Sequence, residues 1–261
     1  MIMKKSVKQK LRSGVPVTMC FLCSRDANLA ELMALCGVDI VVLDNEHFTF
    51  SEEDISSILR ALSSYDTACM LRTACFEPTY LSRLMELGIN GIMAQQVKTV
   101  AQAKELVRSV KYWPEGNRGI GMSRAVSFGC PQGQDRQTYM KEANDNVILM
   151  AVVEDEQGAK NAGEIARIDG IDSVNVGAMD LSLSMGFGSQ MTPEVAVVIN
   201  AAKKDILESG SITADFVTSP EQIPELVKNG SKLMLLGTEH AILINQLCPI
   251  TQALCEALKN Q

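Results

Sequence analysis

Short apolar runs alternate with longer amphipathic stretches along almost the whole chain. Runs at 15–20, 40–44, 68–72, 91–94, 147–153, 173–177, 211–215 and 232–236 have strand length and are mostly apolar. Between most of them, segments such as 53–62, 78–87, 100–109, 161–168, 193–208 and 220–229 carry apolar residues at helical spacing. This alternation predicts βα units and a parallel sheet. Eight strand candidates with interleaved helices predict a (β/α)8 TIM barrel. No Gly-x-Gly-x-x-Gly follows a strand, so an open sheet with a dinucleotide site has no support.

Local signals agree with this division. Ser51-Glu-Glu-Asp54 reads as a capping box that opens a helix. Gly88, Ser209-Gly210 and Asn229-Gly230 read as helix ends. The segment 112–144 lacks clear periodicity and reads as a long functional or oligomer-forming loop. The stretch 241–259 reads as mostly helical, with a break at Pro249. No repeat or linker divides the chain, so residues 1–261 are expected to form a single domain.

Composition narrows the class. With 46% hydrophobic and 21% charged residues, the 261-residue chain is ordinary for a soluble protein with a sizeable core. A formal net charge of -7 argues against non-specific nucleic-acid binding and against an anionic membrane surface. The basic first ten residues precede no long apolar run, so a signal peptide is not expected. No apolar run is expected to reach the length of a membrane span, and a cytoplasmic location is the default. The eight cysteines, at 20, 23, 36, 69, 75, 130, 248 and 255, mostly fall inside apolar patterns, as small buried thiols do. Cys20 and Cys23 have CxxC spacing, but no second pair completes a zinc site.

Ionisable residues gather where the runs end. Asp44-Asn-Glu46-His47 follows the second run, Arg72 ends the third, Glu154 ends the fifth, and Asp180 follows the sixth. The C-terminal ends of barrel strands are where this fold places its chemistry. Glu154 and Asp180 lie on neighbouring strands, close enough to share a cation. Two carboxylates with water and substrate oxygens suit Mg²⁺ or Mn²⁺ better than zinc. An acid beside His47 can fix its tautomer, and Arg72 is shaped to hold a carboxylate or enolate oxygen. His240, after the last run, shares this rim.

These segments resemble the metal-dependent class II pyruvate aldolases of the HpcH/HpaI family, of the 4-hydroxy-2-oxoheptanedioate and 2-dehydro-3-deoxyglucarate type. The likeness runs over about residues 15–258. It rests on Gly37-Val-Asp-Ile-Val-Val-Leu-Asp44-Asn-Glu46-His47, Leu71-Arg72, Leu84-Met-Glu86-Leu-Gly88, Gly116-Asn-Arg118-Gly119, Val153-Glu154 and Gly177-Ala-Met-Asp180-Leu-Ser182. The resemblance implies a phosphoenolpyruvate/pyruvate-type barrel that reversibly cleaves a 4-hydroxy-2-oxo acid to pyruvate, or a related 2-oxo acid, and an aldehyde through an enolate. It implies a divalent metal (Mg²⁺ or Mn²⁺, with Co²⁺ a further candidate) on Glu154 and Asp180. It makes His47, paired with Asp44, the base, supported by Glu46. Arg72 would hold the keto oxygen, and the backbone N–H groups of Met179 and Asp180 the carboxylate. Glu86 stands where the family has an Asp reaching into a neighbouring subunit, in a trimer of dimers with an exchanged C-terminal helix. Asn45, Thr73, Gln95-Gln96, Val152 and Ala178-Met179 depart from the family pattern. A 2-oxo acid decarboxylase, a citrate-lyase-like enzyme using a CoA thioester, and a non-catalytic metal- and keto-acid-binding barrel stay open as alternatives.

Overall fold

A computed structural model describes residues 5–129 and 135–259, so Cys130 lies outside the described residues. Eight parallel strands alternate with helices in chain order. They are α1 (Lys5–Ser13), β1 (Val17–Leu22), α2 (Ala27–Leu35), β2 (Ile40–Asp44), α3 (Glu52–Ala61), β3 (Ala68–Thr73), α4 (Pro78–Leu87) and β4 (Gly91–Ala94). Then come α5 (Val100–Val110), α6 (Arg136–Asn146), β5 (Ile148–Val153), α7 (Glu156–Ala166), β6 (Ser173–Val176) and α8 (Ala178–Ser184). The chain continues through α9 (Pro193–Glu208), β7 (Ala214–Phe216), α10 (Ile223–Lys228), β8 (Leu233–Thr238) and α11 (Glu239–Lys259). The hydrogen-bonded order is β6-β5-β4-β3-β2-β1-β8-β7. The remaining gap is spanned by one parallel bridge, Ser173 to Ile212, and by the Asn175 side chain, whose Oδ1 accepts from the Ala214 N–H at 2.7 Å. The result is a nearly closed (β/α)8 barrel.

Strand alternation sorts the core into two layers. Met19, Ile40, Val42, Ala68, Met70, Ile148, Met150, Val152 and Leu233 fill the barrel interior, while Leu22, Val41, Leu43, Leu71, Leu149 and Val153 face the helices. Val7 and Leu11 of α1 join the interior cluster, so α1 plugs the barrel. Its Lys8 is 2% exposed, donates to the Val147 carbonyl at 2.8 Å and pairs with Asp172. Burial lowers the Lys8 pKa, with Asp172 opposing it. Asp172→Ala leaves a buried ammonium without its counter-charge and is expected to cost about 3 kcal/mol. Chemical denaturation checks this, and adding Lys8→Met should recover much of the loss.

The expected capping box is present. Ser51 Oγ accepts from the Asp54 N–H, and Asp54 Oδ2 accepts from the Ser51 N–H at 2.9 Å. Other expectations change. The first strand runs two residues later than anticipated, and α1, α2, α6 and α8 carried no legible signal. In α6 the buried face contains Asn144, which bonds both backbone groups of Tyr112 at 2.7 and 2.8 Å, so polar contacts replace an apolar stripe. Pro249 does not break the final helix: α11 is continuous through it. Only one intrahelical N–H is lost there, and the helix is exposed, so water can take the freed carbonyl. By length and composition α11 is also apolar enough to cross a membrane, against expectation, with a mean hydropathy of 1.3.

Candidate active site

The site is the top layer of the barrel interior. Inward positions recur every second residue, so 40 and 42 lead to Asp44, 68 and 70 to Arg72, and 148, 150 and 152 to Glu154. Each strand buries apolar residues until its C-terminal end and then presents one ionisable group. The β2–β3 register sets Asp44 directly opposite Arg72.

Arg72 is the hub. Its Nη1 donates to Asp44 Oδ2 at 3.2 Å, and its Nη2 lies 2.7 Å from Glu46 Oε2. The same Nη2 is 3.2 Å from His47 Nε2. A guanidinium only donates, so in a hydrogen bond between the two Nε2 is the acceptor. Phe21 underlies the group, its centroid 5.2 Å from Arg72 Cζ. Asp44 does not touch the imidazole. Its Oδ1 accepts the backbone N–H groups of Glu46 and His47, each at 3.2 Å, and so shapes the turn that carries the ring. The expected Asp44–His47 pairing is therefore made through the backbone. His47 itself is more than half exposed, as a proton carrier open to substrate would be.

Glu154 lies across the mouth and is 9% exposed. Its Oε2 accepts from the Gln96 N–H at 3.1 Å. Gly177 lets it sit there: a Cβ on that residue would come within 2.6 Å of Glu154 Cγ. Gly177 also precedes α8, whose first turn carries Met179 and Asp180, both exposed. Burial first, then the Glu46 and Asp180 carboxylates, push the Glu154 pKa up to about 7, with Arg72 opposing. Four acidic side chains, Asp44, Glu46, Glu154 and Asp180, thus gather around one guanidinium and one imidazole. The donors at Glu154 and Asp180 are all oxygen, and the excess negative charge is what a hard divalent cation would offset, so the residues present fit one.

The raised pKa has a sign for stability. An acid with a folded-state value above its unfolded one binds more protons when folded, so its stability contribution is lost as pH rises from about 4.5 to about 7. In metal-free protein, Glu154→Gln is expected to raise Tm above neutral pH and to leave it nearly unchanged near pH 4. Thermal melts across pH in the presence of a chelator check this.

Glu86 does not join the others. It lies near the end of α4, which runs antiparallel to the strands and ends beside the start of β4, at the opposite end of the barrel. There it pairs with Arg118 at 3.0 Å, whose guanidinium stacks 4.4 Å from the Tyr112 ring centroid. Residues that sequence reasoning missed support the rim. Gln96, at φ 57°, turns its N–H toward Glu154. Asn45 ties the turn after β2 to Tyr80 at 3.0 Å and accepts from the Phe50 N–H at 2.8 Å. Glu239 closes the β1 loop by accepting from the N–H groups of Cys23 and Ser24.

Comparison with known proteins fits this geometry. A hydroxypyruvate/pyruvate aldolase of Roseobacter denitrificans is 30% identical over 241 residues, covering 91% of this chain and 92% of the relative. A 4-hydroxy-2-oxo-heptane-1,7-dioate aldolase of Escherichia coli is 27% identical over 92% of this chain and 91% of the relative. The crystal structure of an HpcH/HpaI aldolase/citrate lyase family protein from Burkholderia cenocepacia superposes with a TM-score of 0.84 at 26% identity, covering 97% and 99% of the two chains. The family model described as HpcH/HpaI aldolase/citrate lyase matches residues 17–246, a span that holds every rim residue named above, and the chain belongs to that family.

Proposed function

We propose that this protein is a metal-dependent carbon–carbon lyase that reversibly cleaves a 4-hydroxy-2-oxo acid to pyruvate, or a closely related 2-oxo acid, and an aldehyde. The observation that carries the reading is the opposition of two arrays across one mouth. Glu154, within electrostatic reach of Asp180, faces an Arg72 guanidinium that already touches His47.

Glu154 and Asp180 would hold Mg²⁺, Mn²⁺ or Co²⁺, which when bound supplies Lewis-acid polarisation of the 2-oxo acid. The chain's own residues do the rest. Asp44 and Glu46 fix the plane of Arg72, so its donors point where negative charge grows on the keto oxygen. The backbone N–H groups of Met179 and Asp180, in a helix turn without a side-chain cap, receive the substrate carboxylate. His47 Nε2, released from Arg72 by substrate, takes the proton from the hydroxyl in cleavage and returns it in addition.

The test is proton–deuterium exchange at the pyruvate methyl group, followed by NMR with and without Mn²⁺, and then with a panel of aldehydes. Metal-dependent exchange followed by adduct formation is expected. Absence of both with metal demonstrably bound would overturn the reading. CO₂ release from a 2-oxo diacid without any aldehyde would instead favour decarboxylation.

The assembly belongs to the same proposal. Leu243, Leu247, Ile250 and Leu254 form an exposed apolar stripe at heptad spacing on α11, with Leu258 four residues beyond it. A second copy of the chain covers it in this reading, within a trimer of dimers in which Glu86 serves a neighbour's site.

A further inference from the structure

A second cluster of ligand-type side chains lies on the same rim, where β1 and β8 end. Cys23 Sγ, a Glu239 carboxylate oxygen and a His240 ring nitrogen all lie within 4.8 Å of one another. The arrangement is built by the backbone. The β1–β8 register slips between Met19 and Phe21, and Gly237 adopts φ 90° at that irregularity. A bulge of this kind re-aims the side chains that follow it, here turning Glu239 inward against the β1 loop. Glu239 is 5% exposed and held by three N–H contacts of 2.7 to 2.9 Å. His240 Nε2 sits 3.5 Å from Glu239 Oε1 and 3.1 Å from Ser24 Oγ, with its ring edge-on to Phe48 at 5.5 Å. Cys20, the other half of the CxxC, instead faces the Gly237 carbonyl at 3.4 Å.

We propose that Cys23, Glu239 and His240 form a second metal site, for a thiophilic divalent cation of the zinc class. The donor chemistry separates it from the Glu154–Asp180 pair. Two carboxylates suit hard cations, whereas a sulfur, a nitrogen and an oxygen suit Zn²⁺. Bonds of about 2.0–2.3 Å in a tetrahedron set donors roughly 3.3–3.7 Å apart. The half-exposed His240 has room to close that difference by rotation, and its open side leaves the fourth position to water. A cation bound there would displace the Cys23 thiol proton. The bound ion would tie the root of α11 to the β1 loop.

The probe is Co²⁺ added to metal-stripped, full-length Glu154→Ala/Asp180→Ala protein, with Zn²⁺ as competitor. One equivalent of Co²⁺ with a near-ultraviolet thiolate charge-transfer band, abolished by Zn²⁺, is expected. Cys23→Ser should remove the band, and the exposed Cys36→Ser should keep it. His240→Ala should weaken affinity at least as much as loss of an outer partner does, about 10–100-fold. The unaltered chain should show the same band, so the result does not depend on the double variant folding well. No band in either protein, or a band that survives Cys23→Ser, overturns the proposal. Neither result bears on methyl exchange, which depends on Glu154.

Discussion

Glu154→Ala is expected to lower the rate of metal-dependent methyl exchange by about 10³-fold, or roughly 4 kcal/mol, the scale of a lost Lewis acid. The geometry explains why no neighbour substitutes. Oε2 of Glu154 is anchored by the Gln96 N–H, and its other oxygen sits beside Gly177, where an added Cβ would lie 2.8 Å from it. Without it only Asp180 remains of the pair, on an exposed helix turn with no burial to hold an ion. Glu154→Gln, which removes the charge but keeps the side chain's volume, separates this loss from unfolding, because it should stabilise the metal-free protein above neutral pH. Stability and activity are therefore expected to move in opposite directions. Exchange rates measured across a metal titration check this, and a rate within tenfold of the unaltered protein at saturating metal would place the metal elsewhere.

Arg72→Ala is expected to cost a similar 10³-fold, about 4 kcal/mol, at the upper end for a single donor to a developing oxyanion. Arg72→Lys is expected to recover little. One planar fork meets Asp44 at 3.2 Å, Glu46 at 2.7 Å and His47 at 3.2 Å, and its face lies over Phe21. A compact ammonium cannot keep that many directed contacts. Arg72 also holds the Glu154 pKa down against burial and two carboxylates. Its removal should move the Glu154 titration upward in metal-free protein. Titration of that carboxyl in metal-free Arg72→Ala and unaltered protein tests this, and an unmoved midpoint would show that the two groups are electrostatically independent.

The strands and their terminal ionisable groups were legible because one period governs both. The residues that fill the barrel are spaced two apart, and the next step along each strand is Asp44, Arg72 or Glu154. The helix α6 was not legible because its buried face is completed by an amide rather than by apolar residues. The direction of the His47 ring was not legible either. Three nearby groups compete for the ring, and Arg72 reaches it while Asp44 is drawn to backbone N–H groups. Long-range closure is the other gap. Glu239 meets Cys23 across 216 positions, and no local pattern announces a contact made by neighbouring strands at opposite ends of the chain.

The seam between β6 and β7 bears on how such a barrel can breathe. A cation held by Glu154 and Asp180 would staple the β5 edge to the segment after β6, on one side of that seam, and leave the other side unclamped. The opposite bank is the three-residue β7, attached to β6 by one borrowed amide oxygen and by a bridge at Ile212 just before it. Loading such a metal would thus stiffen half the mouth only. The cheapest way to open the barrel remains a gap on the far bank, beside the site but outside its grip.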